Sequence, residues 1–459
     1  METSSPSAQG VDAAGIGALL DVIEAHPGID PHGVIIQRHG HRIVEGYWAP
    51  HTADRTRLVY SLSKSFTGTA LALQLGEGRL MLDDLVSEHL PDMFDDEIPE
   101  ATRRMRIRHI ASMATGHDHE TLLEALVLDG ADPVNGFLHI APDAEPGTVF
   151  AYNQPPVLTL ATILERLAGE SLVDYLRPRL LDPLGVADFR WTHAPTGVSL
   201  GFSGVYTNLD AVARLGQLYL DDGTWGGRRL LPEGWVTDAS SVHIPNVGTS
   251  DDLDWQQGYG FQLWTSRHGF RGDGAYGQYM VVLPEHDAVV AMFSCTDQMQ
   301  TVLDAMWEHL LPAMGDGGSR SADAALAERL STLEVPTAAR RVGGGAPEVP
   351  SMTFERRPDT ASHSTVTGID TTGSAMTVHE DDRTFEVPLT EGWTVVDSWL
   401  AASATSRGDG TAAVHLAFTE TPHRIEIELH PADGTFVAHW PLVPFGAGRD
   451  NHLSSMHAP

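Results

Sequence analysis

LVYSLSKSFTGTA, residues 58–70, contains Lys64, the only lysine in a chain of 459 residues that has 28 arginines. Ser61 and Lys64 form an S-x-x-K pair at the start of a predicted helix, and side chains three apart on a helix share one face. A serine hydroxyl becomes a nucleophile when a neighbour takes its proton, and lysine can do so once its ammonium has lost one. Burial lowers a lysine pKa readily, whereas arginine stays charged. Exchange of lysine for arginine, harmless on a surface, would end that chemistry here. The lone lysine therefore marks a candidate site. The plainer alternative is that Ser61 only caps the helix.

Outward from this stretch, the helix is expected over 61–74, ending at the glycines of GEGRL. Upstream, residues 12–25 have the spacing of an amphipathic helix, and GVIIQRHGHRIVEGYW (33–48) reads as a hairpin turning at His39 and Gly40. Residues 80–190 are helix-rich, with PPVLTLATILERLAG and LVDYLRPRLLDPLG the clearest periodic segments. A helix over 208–221 precedes strands within 258–295, notably QYMVVLP and AVVAMFS, and another helix is expected at 300–312. Two Gly, Pro and Ser-rich stretches, MGDGGSRSA and VGGGAPEVPS, then bracket one helix, DAALAERLSTL. Beyond Ser351 come short strands: SMTFERR, SAMTVHE, TFEVPL, AAVHLAF, RIEIELH and TFVAHWP. The expected division is a domain over 1–315 with a helical lobe at about 78–195, a linker with one helix over 316–350, and a small β domain, barrel or sandwich, over 351–459. The Gly-rich junctions predict few contacts across them, so loss of the tail should spare the rest.

With 62 acidic and 29 basic residues the formal charge is −33, which disfavours nucleic acid and anionic membranes as partners. No apolar run approaches the ~20 residues of a membrane helix. The N-terminus lacks the basic start and apolar core of a secretory signal, and Cys295 has no second cysteine to pair with. A cytoplasmic location is expected. RRMRIRH (103–109) is expected to be a solvated helix face or internally ion-paired. HDH (117–119) has no third ligand at metal spacing and reads as a rim loop, so neither metal nor cofactor is expected. RGD (271–273) sits at a strand edge, a poor setting for adhesion. A G-x-S-x-G elbow is missing, and Ser63 stands where a phosphate-binding loop needs glycine before its lysine.

Residues 58–92, beginning LVYSLSKSFTGTA, resemble the nucleophile region of the serine β-lactamase and penicillin-binding-protein superfamily. The likeness is to the branch that holds class C β-lactamases, D-aminopeptidases, β-lactamase-like esterases and nylon-oligomer hydrolases. IRHIASMATGHD, EPGTVFAYNQPPVLTLATILERLAG, GFSGVYTNLDAVARLGQLYL and GDGAYGQYMVVLPEHDAVVAMFS continue the resemblance in the family's order over about residues 30–312. It implies an α+β fold of β-lactamase/transpeptidase type, an antiparallel sheet flanked by helices plus a helical lobe, with the small all-β domain appended.

The resemblance also assigns roles. Tyr152, which opens Tyr152-Asn153-Gln154, becomes the proton-handling phenol, its pKa expected to be lowered beside Lys64. Gln154 departs from the family's asparagine or serine and is expected to offer its amide to substrate. Gly272-Asp273-Gly274 stands where relatives have Lys-Thr-Gly or His-x-Gly. The motif cation is missing, and Arg271 lies one position early. The oxyanion hole would be the backbone amides of Ser61 and Ala275, with Asp273 and Gly274 beside the substrate. The function so implied is a serine hydrolase acting through an acyl-enzyme on small esters. An amide hydrolase is the alternative, and a catalytically silent binding relative a further one.

Overall fold

The computed structural model describes residues 1–315, 317–357, 364–381, 383–445 and 452–458. Its centre is a seven-stranded sheet in the order Glu2–Thr3, His41–Tyr47, Ile29–Arg38, Ala288–Thr296, Gln278–Leu283, Phe270–Gly274, Trp264–Thr265. All neighbours are antiparallel except the short Glu2–Thr3 edge. The strands Ile29–Arg38 and Ala288–Thr296 are buried along their whole length, because the central strands of this sheet are covered on both faces. One face packs on the helix Ala13–Ala25 through Ile16, Leu20 and Ile23. The other packs on Leu209–Leu220 and on the helix Ser63–Gly76. The hairpin turns at His39 and Gly40 as expected.

Ser63–Gly76 runs between the sheet and the helical lobe, and every residue from Ser63 to Gln74 is buried. Most polar side chains in so deep a helix find a partner. Thr67 donates to the Gly201 carbonyl at 2.7 Å, Thr69 to Ser65 at 2.7 Å and Gln74 to Leu164 at 2.7 Å. Two glycines of the facing strand explain how it fits so closely. A Cβ on Gly272 would meet Ser65 Oγ at 2.1 Å, and one on Gly274 would meet the Val59 carbonyl oxygen at 2.0 Å.

The C-terminal strands form one nine-stranded barrel-like sheet around its own apolar core, from Val349 and Phe354 to Trp440. Its two edge strands, Arg383–Pro388 and Thr394–Asp397, lie against each other. Three of its strands were not foreseen: Gly368–Thr371, Thr394–Asp397 and Leu400–Ser406. Among the described residues no helix is long and apolar enough to cross a membrane.

The expectation of few contacts between tail and core does not hold. In the stretch read as a linker, Leu326, Leu333 and Val335 sit in the same apolar cluster as Ile16, Leu20 and Trp48. Ala49 is bonded to that segment through its backbone, its N donating to the Leu333 carbonyl at 3.0 Å and its carbonyl accepting from Val335 N at 2.9 Å. From the β sheet, Arg424 pairs with buried Asp30 at 3.2 Å and Trp393 donates to the Val335 carbonyl at 2.7 Å. Gly and Pro content reports local backbone freedom and carries no information about what a segment packs on. Asp316, in the first junction, lies outside the described residues.

Candidate active site

Ser61 does not cap the helix. It lies in the tight turn Tyr60–Leu62 just before it, while Leu62 is the capping residue and makes no side-chain cap bond. Ser63 holds that turn instead, donating to the Tyr60 carbonyl at 2.6 Å and accepting from Val205 N at 3.0 Å. Ser61 is left partly open at the floor of a cavity of about 650 Å³. The turn is bought with backbone strain: Tyr60, just before the serine, has φ 49°, a left-handed conformation costing a non-glycine residue about 1–3 kcal/mol.

Lys64 is 2% exposed. Its Nζ reaches Ser61 Oγ at 3.0 Å, Gln154 Oε1 at 2.7 Å and the Phe202 carbonyl at 2.9 Å. Burial pulls its pKa down from 10.5 to about 7, against the opposing pull of Glu120 and Asp273. Near neutrality the amine is therefore uncharged in a large share of molecules. A neutral amine has two N–H groups and one lone pair. Gln154 and the Phe202 carbonyl are fixed acceptors and take the two N–H groups, which aims the lone pair at Ser61. Gln154, the residue that departs from the family pattern, thus bonds Lys64, and it also lines the cavity.

Tyr152 stacks on Trp264, ring centroids 5.1 Å apart, and presents its face to Lys64 Nζ at 4.6 Å. Its phenol hydrogen-bonds to Ser61. The expected lowering of its pKa is reversed. One edge of the ring stays open to the cavity, but burial and then the Asp273 charge raise the phenol above its ordinary value. A lysine that is itself largely neutral supplies little field to oppose them. The phenol is a neutral donor at neutral pH.

The cavity lining brings together Ser61, Tyr152, Gln154, Asp273 and Ala275. Gly274 is not part of that lining. It serves the close approach of its strand to Val59, which sets Ala275 beside the Ser61 turn. Asp273 is 6% exposed, and its carboxylate accepts from Arg271 Nε at 2.8 Å. Arg271 does not replace the missing motif cation. It is fully buried, bonded to Asp273, Ser266 and the Asp254 carbonyl, and packed over Trp255 at 4.3 Å.

Several lining residues carried no sequence signal: Glu120, Trp255, Trp264 and Phe445. HDH does form the rim, but Asp143 joins it from 24 residues on. Ligand atoms of Asp118, His119 and Asp143 lie within 4.8 Å of one another, all exposed. His119 bonds Asp118 and Glu124 at 2.8 and 2.9 Å, which raises its pKa. Two arginines of RRMRIRH are ion-paired, Arg104 with Glu145 at 2.8 Å and Arg108 with Asp83 at 2.8 Å, while Arg103 and Arg106 donate to the backbone carbonyls of Asp95 and Asp83.

The C-terminal sheet reaches this site. Tyr276, just after Ala275, is also left-handed, with φ 64°. The rings of Tyr60 and Tyr276 meet edge-on at 5.1 Å, and both His423 and Phe445 pack on the pair. Tyr60 Oη and His423 Nε2 are 2.5 Å apart, and Tyr276 Oη donates to the Val443 carbonyl at 2.6 Å. The two strained residues that flank Ser61 and Ala275 are thus clamped by His423, just before the strand Arg424–His430, and by Val443 and Phe445, beyond the strand Thr435–His439.

A serine open to a cavity beside a buried lysine, with a tyrosine over the pair, at the start of a helix between an antiparallel sheet and a helical lobe, defines a serine hydrolase of β-lactamase type. The Beta-lactamase family matches residues 21–313, and the chain belongs to it. The 6-aminohexanoate-dimer hydrolase of Paenarthrobacter ureafaciens is 26% identical over 283 residues, 57% of this chain and 71% of that protein. A D-aminopeptidase of Brucella anthropi is 30% identical over 176 residues, 34% of this chain and 32% of its own length. Among solved structures, an octameric penicillin-binding protein homologue from Pyrococcus abyssi aligns with a TM-score of 0.50 at 17% identity. That alignment covers 90% of this chain and 96% of the other, so the likeness in fold extends into the C-terminal part.

Proposed function

We propose that the protein is a carboxylesterase that works through an acyl-enzyme on Ser61. The observation that carries this reading is the Lys64 environment, in which two fixed acceptors leave a low-pKa amine directed at the Ser61 hydroxyl. Neutral Lys64 takes the Ser61 proton as Oγ attacks the ester carbonyl, and the amides of Ser61 and Ala275 receive the oxyanion. The Tyr152 phenol gives its proton to the departing alkoxide and recovers one from the Lys64 ammonium. Water then attacks the acyl group, losing its proton along the same path, and Ser61 is restored.

Esters are favoured over amides because a phenol with a raised pKa is a weak acid, and an amine must be protonated to leave whereas an activated alcohol need not be. The relative named 6-aminohexanoate-dimer hydrolase keeps the amide reading as the alternative. β-Lactams are disfavoured by charge. Among the described residues no arginine lines the cavity, Asp118 and Glu120 do, and His119 in the same lining is already engaged by Asp118 and Glu124, so a substrate carboxylate finds no free cation to anchor it. Short-chain p-nitrophenyl esters are expected to exceed nitrocefin in kcat/KM; the reverse order would refute the esterase reading. Tyr152→Phe keeps the ring stacked on Trp264 and removes the proton carrier. Its expected cost in kcat is about 10²-fold, at the lower end for general acid–base groups because an activated leaving group needs little protonation. Near-normal turnover by the folded variant would show Lys64 acting alone.

A further inference from the structure

Ser61 borders two cavities. Besides the one with Tyr152, Asp273 and Ala275, a second of about 570 Å³ adjoins it at the serine. Ser61, Glu120, Gln154 and Phe445 are common to both. The walls of the second are largely apolar, with Leu58, Leu122, Leu200, Phe202 and Tyr206 from the core and Met456 from the C-terminal part. Its size falls within the range of roughly 300–1,000 Å³ usual for small-molecule sites, and among the described residues no lysine or arginine lines it.

Resting on the esterase reading, we infer that this second cavity is the acyl subsite and that it takes an unbranched, uncharged aliphatic acyl chain. A carbonyl held on Ser61 has one substituent on each side, so both cavities are filled by one substrate. Their order follows from the chemistry. The leaving oxygen lies beside its proton donor, and Tyr152 lines the first cavity and not the second. The alcohol therefore departs through the cavity with Tyr152, and the acyl chain remains in the second, more apolar one. Glu120 at the junction penalises an acyl group that carries its own carboxylate.

The test compares p-nitrophenyl hexanoate with acetate on the full-length protein. Each methylene moved from water onto an apolar wall is worth roughly fourfold, so hexanoate should lead in kcat/KM by about tenfold or more. Leu200→Trp and Leu122→Trp, on separate segments, each fill the cavity and should lower the hexanoate-to-acetate ratio by about tenfold, with unfolding temperature measured to confirm the fold. Enlarging the alcohol from nitrophenyl to naphthyl should leave the effect of these substitutions unaltered. Acetate turned over as well as hexanoate by the wild type would remove the subsite while keeping the esterase reading. So would an unchanged ratio in both folded variants, or an effect that follows alcohol size. If no ester is hydrolysed and a fluorophosphonate leaves Ser61 unlabelled, the esterase reading fails and the subsite fails with it.

Discussion

Lys64→Arg should slow acylation of Ser61 by about a thousandfold, within the 10²–10⁴ that general bases contribute. Arginine keeps the charge and much of the aliphatic stem, but it does not become neutral near pH 7. Its guanidinium also has no lone pair to accept a proton, while the Phe202 carbonyl and Gln154 are set at distances that suit a single nitrogen. The pH dependence is a second readout of the same variant. The Lys64 pKa of about 7 means that the neutral form gains as pH rises through 7. Wild-type acylation should therefore climb through that range and level off on the alkaline side, and the residual reaction of Lys64→Arg should lack this limb. Labelling can be followed as a covalent mass shift with an activated ester or phosphonate. If Lys64→Arg labels within about tenfold of wild type while Tyr152→Phe abolishes labelling, lysine is an electrostatic partner and tyrosine is the base. The raised pKa of Tyr152 argues against that outcome.

The serine–lysine pair was readable because its geometry is local, three residues along one helix start, and because a lone lysine among arginines is a compositional signal. What surrounds it is not local. The carbonyl of Phe202 that holds Lys64 is a backbone group and leaves no mark on residue identity. Trp264 reaches Tyr152 from the edge strand of the sheet, more than a hundred residues away. The Tyr152 pKa was misjudged because it was weighed against a lysine taken as charged, and burial decides both groups. Gly272-Asp273-Gly274 read as a degraded substrate motif, yet its glycines serve packing against Ser65 and Val59. In the β sheet, the strands with large apolar residues at alternate positions were found. Leu400–Ser406 was missed because LAASATS has small residues whose burial comes from close packing and shows no period.

Removing everything after Gly315 should leave a chain that is insoluble or inactive, the opposite of what its Gly-rich junctions suggest. The cut takes Leu326, Leu333 and Val335 out of the apolar cluster that covers the sheet. At about 1.5–3 kcal/mol for each buried side chain, their sum is comparable with the whole 5–15 kcal/mol by which a typical fold is stable. It also takes away the partner of Asp30, since both Arg341 and Arg424 pair with that buried carboxylate. A chain ending at Val342 keeps the three apolar residues and Arg341, and separates the two effects. It should be more soluble than the shorter one, yet still label poorly with fluorophosphonate, because His423, Val443 and Phe445 no longer hold Tyr60 and Tyr276 in their left-handed conformations. Loss of one oxyanion donor typically costs about 10²–10³ in kcat, and a relaxed Tyr60 or Tyr276 would turn an adjoining amide away. His423→Ala in the full-length chain tests the same clamp without a truncation, and should lower kcat by about tenfold with little change in KM. A soluble 1–315 protein that hydrolyses esters within about tenfold of the full chain would show that the β sheet is dispensable to the site. Wild-type kcat in His423→Ala would show that the two tyrosines hold their conformations unaided.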